Sequence, residues 1–199
     1  MYWNMPRFDI ARQKASEVLN RLHYNPDEMI RTNDIIKTVE EMLGVDVRFA
    51  KYDFTELDEG SGKRSALRNC GAMMLVSNED SIRKASILLN KRETPEMVRF
   101  SLVHELGHLM TIDWNALDNC HISTHIDMDI TSIPESALND PKFSFLVDEQ
   151  IANIFALLVL IPYNSLVKKL SELNSTEKVA EFFGVEKSAV ISRLMLETK

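Results

Sequence analysis

Cysteine is scarce in this chain: Cys70 and Cys120 are the only two in 199 residues. So widely separated a pair excludes the disulfide framework of a small secreted domain and the clustered spacing of a zinc finger, and it suits a reducing cytosol. Basic charge is in deficit as well. With 23 Lys and Arg against 30 Asp and Glu, the formal net charge is −7, which argues against a surface that wraps nucleic acid by counterion release. Long apolar runs are missing too. The longest unbroken one, Ile154 to Ile161, falls far short of the roughly 20 residues of a membrane helix. The opening "MYWNMPRFDIARQKA" has no apolar run behind its charges, as a secretory signal requires. The expectation is a cytoplasmic chain with neither a membrane nor nucleic acid as a direct partner. Its 45% hydrophobic content suffices for one substantial core or two small ones.

What is present divides by period. Phe8, Ala11, Ala15, Val18, Leu19 and Leu22 recur at helical spacing across residues 7–23. A second helix is expected from an N-cap at Asn33 to Leu43, stopped by Gly44. "VDVRFAKYDF" (45–54) then alternates, and "GAMMLV" (71–76) and "ASILLN" (85–90) are short apolar runs between turn-rich pieces. They predict a small, mostly antiparallel sheet of about three strands. Thr94-Pro95-Glu96 reads as an N-cap, a first-turn proline and an acid at the positive end of a helix dipole. The helix it opens is apolar in nearly every direction, hence buried. A second buried helix is expected from Ser144 to Ile161, ended by Pro162. Between them, residues 111–140 are weakly periodic and carry six acids with no Lys or Arg. Such a run most simply reads as a solvated face, or, with residues 55–70, as a lid over a site.

Into the first buried helix the sequence sets ionisable groups, in "RFSLVHELGHLM" (99–110). Burying such groups is costly unless they are paired or bound to a metal. His104 and His108, four apart, leave one helical face a turn apart, where two imidazole nitrogens reach one zinc at about 2.0–2.1 Å. Glu105 is adjacent, placed to take a proton from an attacking water. This is the H-E-x-x-H pattern of zinc peptidases. Its mid-helix position favours it over two core histidines satisfied by the backbone.

A catalytic zinc takes three protein ligands. The extended motif needs a glycine and a histidine where this chain has Thr111 and Trp114. The other buried helix is the better source. Glu149 stands just ahead of its apolar stretch. Asn153, one turn on, can accept the outer N–H of a ligand histidine and fix its tautomer, and Ala152 and Ala156 permit close helix approach. Asp148, His121, His125 and Asp113 remain alternative third ligands. "HISTH" (121–125) is a second i,i+4 histidine pair, but in the irregular segment and without the acid. It reads as a surface feature; alternatively His121, His125 or Tyr163 donates a hydrogen bond to the oxyanion formed during hydrolysis.

Taken together, "ILLN…RFSLVHELGHLM…DEQIANIFALLVLIP" resembles the ImmA/IrrE family of metallo-endopeptidases over about residues 30–165. The carrying features are a strand ending in Asn90, Arg-Phe ahead of His-Glu-Leu-Gly-His, then Glu-x-x-Ala-Asn-x-Phe-Ala and a helix-ending proline. With the reading above, the resemblance implies an α+β, zincin-like fold, its sheet packed on buried metal-site helices; we expect that domain to take in residues 1–165, with a helical C-terminal extension over 166–199 packed on it. It implies His104, His108 and Glu149 as ligands of Zn²⁺, with Mn²⁺ also tolerated by such a set, and Glu105 as catalytic acid/base. It implies a bacterial cytosolic protease that cleaves a helix-turn-helix repressor and so relieves repression. The rival from another class is a metal-dependent binding or regulatory protein, one half of a toxin–antitoxin pair, that sequesters its partner uncut. "VAEFFGVEKSAVISRL" (179–194) is itself helix-turn-helix-like but poor in basic residues, so packing or partner docking is expected there rather than DNA binding.

Overall fold

The computed structural model describes residues 5–54, 70–79, 82–115, 120–126 and 144–197. The described residues form seven helices and four strands in α+β order. They are α1 (Met5–Leu22), α2 (Thr32–Leu43), β1 (Val45–Tyr52), β2 (Cys70–Glu79), β3 (Ile82–Asn90), α3 (Pro95–Thr111), β4 (Cys120–Ile126), α4 (Ser144–Leu160), α5 (Tyr163–Leu173), α6 (Thr176–Phe183) and α7 (Lys187–Met195).

The strands make one mixed sheet in the order β1-β3-β2-β4. β2 and β3 pair antiparallel up to Glu79↔Ile82, and β4 runs antiparallel to β2. β1 is parallel to β3, from Val45↔Arg83 to Tyr52↔Asn90. The sheet is therefore mostly antiparallel, as expected, but has four strands rather than three. β4 arises within the segment read as irregular, and it carries "HISTH". On a strand four residues span about 13 Å, so His121 and His125 do not stand one helical turn apart. Most of the two lid segments, 55–70 and 111–140, lies outside the described residues.

Alternation sorts the strands by face. Val45 and Val47, Ala72, Met74 and Val76, and Ala85, Ile87 and Leu89 are all buried, and α2 and α3 pack on the sheet. Gly44 stops α2 in the left-handed region (φ 62°), its N–H bonded to Glu40 O, a conformation that penalises a Cβ. The start of α2 differs from expectation. It begins at Thr32, and Arg31 stands at the N-cap without a side-chain cap, so Asn33 is not the cap. A tertiary contact holds that end instead: Arg99 of α3 donates to Ile30 O and to Thr32 Oγ1. Burial pulls the Arg99 guanidinium down to about 10.

α3 begins as the sequence dictates, with Thr94 Oγ1 accepting from Met97 N–H at 3.2 Å and Pro95 in the first turn. It is buried from Ser101 to Met110, with the sheet on one side and α4 on another. α4 packs in turn on α1. Val179, Ala180, Phe183, Val185, Val190 and Leu196 of the C-terminal helical segment belong to the same hydrophobic core, so its described residues, up to 197, pack on that core rather than apart. No single helix among the described residues is long and apolar enough to cross a membrane.

The α3–α4 crossing is set by Gly107. A Cβ there would meet Ala152 Cα and Phe155 Cδ1 at 3.0 Å and Ala152 O at 3.2 Å. Backbone cannot yield as a flexible side chain does. Gly107→Ala should therefore destabilise the protein by about 1–3 kcal/mol, as overpacking does, and weaken metal binding by spreading the two helices. Denaturant unfolding and a zinc titration of the variant check both effects.

Candidate metal centre

Three donors converge where α3 crosses α4. His104 Nε2 lies 3.2 Å from Glu149 Oε2, His108 Nε2 lies 3.1 Å from Glu149 Oε1, and the two imidazole Nε2 atoms are 3.0 Å apart. The rings meet edge-on, at 76° and 4.8 Å between centroids. His104 is fully buried and His108 nearly so. The Glu149 side chain keeps 21% exposure, so the cluster opens to solvent on the carboxylate side.

The arrangement fits a cation. Donors bound tetrahedrally at about 2.0–2.1 Å are separated by about 3.3 Å, close to the three distances found here. Proton counting agrees. Asn153 Oδ1 accepts from His104 Nδ1 at 2.9 Å, which in a neutral imidazole leaves Nε2 a bare lone pair. A proton on His108 Nε2 satisfies at most one of the three contacts, and the others set acceptor against acceptor. His104, His108 and Glu149 together can hold a metal ion.

Glu105 completes the site. It is fully buried, and neither carboxylate oxygen has a hydrogen-bond partner among the described residues. Its pKa is raised well above the usual carboxylate value, first by burial and then by the charge of Glu149. A cation among the donors opposes the second cause. Burying an unpaired carboxylate is costly, and packing alone gives no reason for one at this position.

Among the described residues, the other carboxylate candidates do not join this cluster. Asp148 and Asp113 are exposed, and Asp113 Oδ1 accepts from Asn115 N–H in a local turn. Trp114 is buried in the core, and Thr111 Oγ1 bonds back to His108 O. The side chains of His121 and His125 lie outside the described residues. Tyr163 is not brought to the donors. Eleven residues of helix, about 16 Å, separate Glu149 from Leu160, and Tyr163 lies beyond that end, half exposed.

Asn153 holds the His104 ring from 49 residues away in the chain. Asn153→Ala should lower zinc affinity by about 10–100-fold, the usual loss for a group orienting a ligand histidine. Competition with a chromophoric chelator measures it. Gly107 was the residue the motif reading passed over: it separates the two ligand histidines in "HELGH", and its missing side chain lets α4 bring Glu149 close. The chain matches no known family model and no curated protein.

Proposed function

We propose that this chain is a zincin-like metallo-endopeptidase, acting in the cytoplasm, that cuts one peptide bond in a helix-turn-helix repressor. The observation that supports this most is Glu105, a buried carboxylate without a hydrogen bond, one position from His104 in the donor cluster. Zinc, or manganese in its place, supplies Lewis acidity for the scissile carbonyl and for the water that attacks it. His104 and His108 present neutral imidazoles, and Asn153 keeps the His104 lone pair aimed at the cluster. Glu149 contributes the anionic donor on the solvent side.

Glu105 accepts the proton of the attacking water on a carboxylate oxygen and returns it to the leaving amine nitrogen. Burial and the charge of Glu149 raise its pKa, which makes it a stronger proton acceptor than an exposed glutamate. Leu102 and Leu109, one turn before and after Glu105 on the same face of α3 and both buried, help to exclude bulk water from that proton transfer.

Nucleic acid is not the partner this reading calls for. In the helix-turn-helix-like segment Lys187 pairs with Glu177, and Arg193 is buried, which removes two cations from phosphate contact. The test is to identify the product of the neighbouring gene and, where it is a small helix-turn-helix protein, to co-express it with this chain and read the intact mass of both. Two fragments summing to the repressor plus one water support the proposal. A repressor that stays whole in the presence of zinc-loaded chain overturns it.

A further inference from the structure

A hollow of about 310 Å³ opens between α1 and the corner where α4 gives way to α5. None of its lining residues belongs to the metal cluster. Its apolar wall comes from Ala15, Leu19 and Leu158, and its volume is at the small end of small-molecule sites.

The charged groups around it are unevenly satisfied. Arg193 is only 2% exposed; Nε donates to Ile161 O at 3.0 Å, and Nη1 pairs with Glu197. Those contacts leave Nη2 without a hydrogen-bond partner among the described residues. Arg12, also on the wall, has its guanidinium carbon 4.3 Å from the centre of the Phe8 ring and no carboxylate partner among the described residues. Two guanidinium groups against one carboxylate leave a net positive hollow in a chain of net charge −7. A planar guanidinium fork matches a carboxylate.

We infer that this hollow binds a small organic monocarboxylate, its charge between Arg12 and Arg193 and its apolar body against Leu158 and Leu19. Ser16 and Tyr163 also line the hollow, and their hydroxyls are hydrogen-bond donors of the kind a carboxylate accepts from. A single negative charge balances the hollow, whereas a phosphate dianion adds repulsion from Glu197. The site is independent of the proposed peptidase activity.

The test titrates the full chain with benzoate at about 0.15 M salt, followed by amide NMR shifts in α1 and α7. Saturable shifts near Ser16 and Leu19 are expected, with weaker binding of phenyl phosphate and none of benzyl alcohol in the same range. Arg12 and Ser16 are exposed, so Arg12→Met and Ser16→Trp should fold normally, as circular dichroism can verify. Arg12→Met should weaken benzoate at least about tenfold, the scale of a lost charge-assisted contact, and Ser16→Trp should block the hollow. Absence of saturable shifts, equal binding of benzyl alcohol, tighter binding of phenyl phosphate, or unchanged affinity in either variant would overturn the assignment.

Discussion

On the proposed peptidase mechanism, Glu105→Gln should leave zinc content unchanged and lower peptide-bond cleavage by about 10²–10⁴-fold, the contribution of a positioned general acid–base group. Glutamine keeps the shape of the side chain but cannot accept and return a proton, and Glu105 is not one of the three donors. The same variant carries a second signature in metal-free protein. Burial raises the Glu105 pKa in the folded state above its unfolded value. The folded chain then holds the proton more tightly than the unfolded chain, so stability falls as pH rises above the ordinary glutamate range toward the folded value. Glutamine does not titrate. The variant should therefore lose less stability than the wild type between pH 5 and pH 8, as parallel denaturant titrations show. A purely sequestering protein behaves otherwise: wild type and Glu105→Gln would silence the partner equally, with no fragments.

Removing the metal has the other large effect. An ion that binds only the folded chain stabilises it by about 4 kcal/mol at a thousandfold excess over its dissociation constant. For a domain of this size each kcal/mol moves Tm by about 2–4 °C. A strong chelator should therefore lower Tm by about 8–16 °C from the zinc-saturated value, and added zinc should restore it. Glu149→Ala removes the anionic donor that touches both histidines. Its Tm should respond neither to chelator nor to zinc at the same concentrations. Differential scanning calorimetry of the two proteins makes the comparison. A wild type indifferent to chelator would argue that the donors hold no ion.

Much of the site was legible before any coordinates because its determinants are local. The four-residue spacing of His104 and His108 is a statement about one turn of α3, and Thr94-Pro95 marks where that turn count begins. Glu149 and Asn153 share a face of α4 for the same reason, and the structure brings both to the histidines. What escaped depends on partners distant in the chain. β4 exists through pairing with β2, 43 residues earlier at Ser77↔Cys120, and a short polar strand has little signal of its own. The start of α2 is held by Arg99 from α3 rather than by a local cap. Tyr163 was associated with the site by chemistry alone, and the length of α4 carries it away. Gly107 became meaningful only once α4 lay against it.

Metal analysis of the purified chain, with zinc-edge X-ray absorption on the same sample, tests the central claim most directly. One zinc per chain is expected, coordinated by two imidazole nitrogens and carboxylate oxygen, and lost in His108→Ala. A chain that stays metal-free in zinc-replete buffer, or that binds zinc equally well without His108, would contradict it.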